Sequence, residues 1–280
     1  MTVGLAQEKV SSTEEPCEAV YMVCLYSLLS ALSTYTVIPM PQLEWSEYHT
    51  RLAICFFPVA GVICGGGLIA WTVLCQGLNC SPFCAAVVGV CVPLLITGGI
   101  HMDGYMDTVD ALASHQSTAR RLEIMKDPNC GAFAIIYCGI ALLVETGLYY
   151  ELYVAGWLGS VCPMFVLSRS LGAWSAVTIP SARSNGILGT FTRYINRSSA
   201  AAAMAIIALL SCAGMILPAP VVGCGAVVGG IISFLVYRRT AMRLLGGITG
   251  DTTGFFIQIC ELSCLLGGWI GLLVFNLKTT

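Results

Sequence analysis

Charge is what this chain has least of. Charged residues make up 10% of its 280 and hydrophobic ones 57%, where soluble domains carry about 25% charge. A water-soluble globule is excluded. The N-terminal region also lacks the basic stretch of a signal peptide: residues 1–18 hold Glu8, Glu14, Glu15 and Glu18 against a single Lys9, and we read them as a mobile tail. The close cysteine pairs, Cys80 with Cys84 and Cys260 with Cys264, lack His or carboxylate companions in metal-ligand order. They are expected to pack as small buried hydrophobes, with no zinc or disulfide required. Nothing in the charge pattern calls for nucleic acid.

What the chain does have is apolar runs of spanning length, roughly 17 to 25 residues. They fall at 52–76, 83–100, 131–152, 157–180, 199–217, 219–237 and 254–275. An eighth apolar stretch, 19–38, runs into Pro39 and Pro41 and is compatible with a span, a re-entrant hairpin or an interfacial helix. The expected fold is therefore all-α: a polytopic membrane bundle of about seven spans plus an N-terminal membrane-associated segment. Residues 19–280 form one transmembrane domain.

Basic residues set the orientation. Arg51, then Arg120, Arg121 and Lys126, then Arg183, Arg193 and Arg197, then Arg238, Arg239 and Arg243 fall in alternate loops. The intervening turns, 76–82, 153–156 and the one at Pro218, hold none. Residues 101–130, 181–198 and 238–253 are thus expected on one cytoplasmic side of the membrane.

Against that apolar background stands His101-Met-Asp-Gly-Tyr-Met-Asp-Thr-Val-Asp110. On a helix Asp103, Asp107 and Asp110 lie at i, i+4 and i+7, within an arc of roughly 60°. No lysine follows at i+4 to offset them. Hard oxygen ligands so placed suit Mg²⁺ or Mn²⁺, which share their remaining positions with substrate phosphates and water. His101 points about 160° away from that face on a continuous helix; it is a candidate general base only if the Gly98-Gly99 approach swings it inward.

Three further features are expected to complete the site. Arg120, Arg121 and Lys126 supply phosphate-binding cations, with Asp127 in an Asp-Pro-Asn turn that either holds backbone geometry or completes a metal shell. Arg169, in the middle of a span, needs a partner; it either pairs with Glu145 or floors a polar cavity that faces the substrate. Gly246-Gly-Ile-Thr-Gly-Asp-Thr-Thr-Gly254 offers close backbone approach, the Thr249 and Gly250 region for substrate, and Asp251 as a fourth carboxylate for the metal. A metal and cations together at a membrane surface suit a diphosphate.

The runs Gly98-Gly-Ile-His-Met-Asp-Gly-Tyr-Met-Asp-Thr-Val-Asp110, Arg121-Leu-Glu-Ile-Met-Lys-Asp-Pro-Asn-Cys-Gly131 and Gly246-Gly-Ile-Thr-Gly-Asp-Thr-Thr-Gly254 resemble the cobalamin synthase family, the adenosylcobinamide-GDP ribazoletransferases. Softer matches are Phe57-Pro-Val-Ala-Gly61 and Ser168-Arg169. The resemblance implies Mg²⁺-dependent joining of adenosylcobinamide-GDP to α-ribazole, or its 5′-phosphate, with release of GMP, at the inner membrane. It implies metal-holding roles for Asp103, Asp107, Asp110 and Asp251, and leaves room for a homo-oligomer or a complex with other cobalamin-assembly enzymes. This chain departs from the family pattern at Ala111, at Pro128 and in lacking an arginine near Val37.

Three other readings compete. A CDP-alcohol phosphotransferase wants Ala-Arg soon after Asp-Gly, whereas Asp103-Gly104 is followed by Tyr-Met-Asp. A prenyl-diphosphate transferase wants a second acidic repeat. A transporter accounts for Arg169 and Glu145 inside the membrane, but not for three surface acids.

Overall fold

A computed structural model of the chain describes residues 17–41, 50, 52–182 and 187–279. The expected tail lies outside them except for Cys17 and Glu18, and so do Arg51 and Arg183. The described residues form helices joined by short turns: α1 (Cys17–Tyr35), α2 (Phe57–Gly77), α3 (Pro82–Thr97), α4 (Ile100–Ala113), α5 (Thr118–Ile124), α6 (Ala132–Val154), α7 (Leu158–Val161), α8 (Met164–Thr178), α9 (Ile187–Thr192), α10 (Arg197–Ile216), α11 (Pro220–Thr240) and α12 (Gly250–Thr279).

Local chemistry sets the helix starts. Proline stands in the first turn of α2, α3 and α11, where its missing N–H costs nothing. The Ser81 side chain caps α3 by accepting from the Cys84 N–H, and Asn196 caps α10 by accepting from that of Ser199. Between α3 and α4, Gly98 and Gly99 both take the left-handed conformation, at φ +62° and +76°. Two such residues in succession turn the chain by 94°.

That bend alters the expected span count. Among the described residues five helices are long and apolar enough to cross a membrane, and six if the bent pair α3 and α4 is one span; the sequence suggested about seven. The expected span at 157–180 is replaced by the four-residue α7 and the fifteen-residue α8, with Pro163 between them. The second half of that stretch carries Ser168, Arg169, Ser170 and Ser175, all buried within the bundle. Large apolar side chains such as Leu143, Leu209, Leu217 and Val236 instead face outward, as a lipid-facing rim requires. The chain is a multi-pass membrane protein.

Helix α12 is the central element. It crosses α11 closely because glycine meets glycine: a Cβ on Gly225 or on Gly267 would meet the other's carbonyl, and one on Gly229 that of Ser263. Small residues at four-residue spacing are how membrane helices gain van der Waals contact. The opposite side of α12 meets α4. There a Cβ on Gly104 would stand 2.7 Å from the Asp251 carbonyl, and one on Gly254 would stand 3.1 Å from that of His101. The apolar side of α4, Met102, Tyr105 and Val109, packs against Ala141 of α6, while Asp103 stays exposed.

Candidate active site

The Gly104 and Gly254 approach brings the first turns of α4 and α12 together. Between them lies a cavity of about 260 Å³ bordered by His101, Asp103 and Gly104 of α4 and by Gly250, Asp251 and Thr253 of α12. Two helix N-termini therefore face one space, each with the positive end of its dipole. Such ends are anion sites. His101, which points away from the carboxylates around the helix axis, still borders this space because the cavity takes in the whole first turn.

Thr249 and Thr252 build the start of α12 reciprocally. The Thr249 N–H donates to Thr252 Oγ1 at 2.8 Å, and the Thr252 N–H donates to Thr249 Oγ1 at 3.1 Å, a capping box with Thr in place of Glu. Thr249 Oγ1 also donates to Asp251 Oδ2 at 3.4 Å. Thr249, expected at the substrate, is thus spent on the cap and is buried. Gly250 remains on the cavity wall. The preceding glycine turn is pinned to the end of α8: the Ile248 N–H donates to the Pro180 carbonyl at 3.0 Å, and the Ala182 N–H to that of Ile248 at 2.9 Å. Gly247, at φ +152°, leaves no room there for a Cβ.

The four expected metal ligands separate. Asp103 is exposed, has no hydrogen-bond partner among the described residues, and shares the cavity with Asp251. Asp107 is half-buried one turn further along. Asp110 also serves a neighbouring helix: its Oδ2 accepts from the Gly131 N–H at 2.6 Å and its Oδ1 from the Ala134 N–H at 2.8 Å. Both oxygens satisfy orphan donors at the start of α6, so Asp110 is the N-terminal cap of that helix from a distance. A Cβ on Gly131 would strike that carboxylate. The adjoining Cys130 lies over the acidic row, its thiol pushed up by desolvation and then by the charges of Asp110, Asp107 and Asp103.

Among the described residues no three His, Cys, Asp or Glu side chains converge to hold an ion by themselves. A two-carboxylate arrangement at helix N-termini fits Mg²⁺ nonetheless, because that ion takes one or two carboxylates and completes its shell with phosphate oxygens and water.

The expected phosphate-binding cations stand outside the cavity wall. Arg120 pairs with Glu123 on the surface at 2.8 Å. Arg121 donates to the Leu244 carbonyl at 3.3 Å, and Thr118 Oγ1 reaches the same oxygen at 3.2 Å. Together they tie α5 to the π-helical turn Ala241–Leu245. Lys126 is exposed. Asp127 serves its turn: Oδ1 accepts from the Asn129 N–H at 2.9 Å and its amide at 2.8 Å, which holds the carboxyl below its usual range.

Arg169 is corrected. It is 1% exposed and pairs with Glu261 of α12, not Glu145, while also donating to the Phe165 carbonyl at 3.0 Å. Glu145 instead accepts from Gln258 Nε2 at 2.9 Å. These side chains meet beneath the site with His101, around a void of about 10 Å³. That is room for about one water, not for substrate. His101 Nε2 is itself buried without a partner.

Sequence reasoning missed the rest of the cavity wall: Thr34 and Tyr35 of α1, Ile54, Phe57, Leu188 and Ile257. Only Phe57 carried a signal, as part of the Phe57–Gly61 match. The others are apolar or small residues in apolar surroundings, and only packing distinguishes them.

No solved structure matches the chain. Sequence relatives do. An adenosylcobinamide-GDP ribazoletransferase of Lachnoclostridium phytofermentans is 38% identical over 86% of this chain and 92% of its own length. Similarly named proteins of Roseiflexus sp. and Desulfitobacterium hafniense are 34% and 32% identical, over 84% and 89% of this chain and 86% and 98% of their own lengths. The model of the cobalamin-5-phosphate synthase family matches residues 27–269. Covering all three motifs, the bent α3–α4 pair and the start of α12, that match shows that the chain belongs to the cobalamin-5-phosphate synthase family.

Proposed function

We propose that this enzyme joins adenosylcobinamide-GDP to α-ribazole, or to its 5′-phosphate, and releases GMP, and that it does so on the cytoplasmic side of the inner membrane. The observation that carries the reading is the meeting of Asp103 and Asp251 across one cavity at two helix N-termini. Helix ends attract the diphosphate, whereas the two carboxylates repel it. The combination is favourable with a divalent cation between them. Asp103 and Asp251, with Asp107 alongside, would hold Mg²⁺, whose chemistry is to neutralise charge on the bridging and leaving oxygens. Arg120 and Lys126, exposed beside the acidic row, would meet phosphate oxygens of the arriving substrate.

The protein's own part is alignment. A ribose hydroxyl oxygen forms a bond to the cobinamide-side phosphorus, the P–O bond to the bridging oxygen breaks, and GMP leaves with that oxygen. The hydroxyl proton goes to His101, the histidine on the cavity wall. Packing of Gly104 on Asp251 keeps the two carboxylates at one spacing. The transporter reading loses its support, because Arg169 and Glu145 are internally paired around a void that fits about one water.

The test is GMP release by membranes containing the chain, supplied with adenosylcobinamide-GDP, α-ribazole and Mg²⁺. Asp103→Asn and Asp251→Asn should each abolish it. Release unchanged by both substitutions overturns the metal assignment, and release of CMP from a CDP-alcohol in its place overturns the activity.

A further inference from the structure

We propose that the inner half of the cavity seats the aromatic base of the nucleophilic riboside, so that Tyr35, Phe57 and Leu188 select a flat, uncharged bicyclic arene. This deepens the activity proposed above and rests on it.

Size makes the first cut. At about 260 Å³, the space lies just below the roughly 300–1,000 Å³ typical of pockets that enclose drug-sized ligands. It suits a nucleoside and shuts out a corrin macrocycle. Polarity makes the second. The mouth carries Asp103, Asp251 and Thr253; the inner wall carries Ile54, Phe57, Leu188 and Ile257, the last three buried in the main apolar core with Ile54.

The aromatic wall is continuous. The Tyr35 and Phe57 rings stand 4.1 Å apart, and Phe57 and His101 stand 5.6 Å apart, so the three rings form one aromatic surface against which a flat ligand can stack or set an edge. A ligand with one flat apolar end and one hydroxylated end fits only one way: base inward, ribose toward Asp103, Asp251 and His101. That orientation delivers the nucleophilic hydroxyl to the carboxylates. A guanine inserted instead would press polar edges against Ile54, Leu188 and Ile257, which offer no partners.

The three selecting side chains come from different elements than the acids. Tyr35 ends α1, Phe57 opens α2 and Leu188 lies on α9, whereas the carboxylates sit on α4 and α12. Base selection and phosphoryl chemistry are therefore separable by mutation.

The experiment uses the detergent-solubilised full chain and Leu188→Trp, which fills the inner half. We expect KM for α-ribazole to rise about ten-fold or more, the scale of a misfit in an apolar pocket, with KM for adenosylcobinamide-GDP within about two-fold of the parent. Preference among ribosides should move toward a smaller base, imidazole over dimethylbenzimidazole. Binding of α-ribazole alone, followed by its own benzimidazole fluorescence without metal or GDP substrate, should weaken in step. Thr34→Phe, on the half-buried side of the same cavity, replaces Leu188→Trp if that variant does not fold. An unchanged riboside KM, or a rise confined to adenosylcobinamide-GDP, overturns the proposal and assigns the space to the other substrate. If the parent binds α-ribazole and the filled variant does not, while neither releases GMP, the base pocket stands and the proposed reaction falls.

Discussion

Asp103, Asp107 and Asp110 share one side of α4, yet their surroundings give them different work. Asp103 meets open cavity, while Asp110 meets two backbone N–H groups of α6. Asp110→Asn keeps one acceptor and loses the other; it should cost about 1 kcal/mol, as loss of a helix cap does, seen as a lower melting temperature in detergent. GMP release should fall much less than in Asp103→Asn. The buried pair Arg169–Glu261 makes a second residue-scale prediction. Arg169→Leu alone leaves a carboxylate buried without its partner and should destabilise by about 3–5 kcal/mol, whereas Arg169→Met with Glu261→Met should recover most of that loss. Thermal unfolding of the single and double variants checks it. Arginine in an apolar run was legible as a residue needing a partner; Glu261, 92 positions away, was not.

At the scale of elements, two glycine contacts position the site. Gly104 lets the start of α12 sit against α4, so Gly104→Val should push Asp251 away and lower GMP release about a hundred-fold, the cost of a misplacement near 1 Å, and the melting temperature should fall as well because the atom met is backbone. Gly267→Leu strikes the backbone of α11 at Gly225. Its effect should appear in the melting temperature first, because it separates two spanning helices far from the cavity. The helical spacing of the acids was legible because helix geometry is local. The double left-handed turn at Gly98 and Gly99 was legible only as flexibility, since a glycine pair permits a 94° bend without requiring it. The short α7 and polar α8 were misread as one span because hydropathy averages over a break at Pro163.

The whole molecule has two ends. Residues 118–121, 180–182 and 244–251 meet at the end that holds the cavity, as the alternation of basic loops suggests. Cys130 is exposed at that end, and Cys84 is exposed beside the turn at the other. In sealed vesicles of cells expressing single-cysteine versions, a membrane-impermeant maleimide should label Cys130 only when the cytoplasmic face is outward. Cys84 should show the opposite pattern. Labelling of both from one side would remove the two-ended topology and with it the cytoplasmic site.

Composition by itself determined that the chain belongs in a membrane, and spacing by itself determined that Asp103, Asp107 and Asp110 share one helix face. Both follow from properties summed over neighbours in the chain: hydropathy over a span and angle around a helix. Only the tertiary structure decided that Asp110 caps α6, that Arg169 answers Glu261, and that Tyr35, Phe57 and Leu188 close an apolar space beside Asp103 and Asp251. Those outcomes depend on which helices touch, and glycine contacts such as Gly104 with Asp251 and Gly225 with Gly267 set that across distances the sequence pattern does not encode.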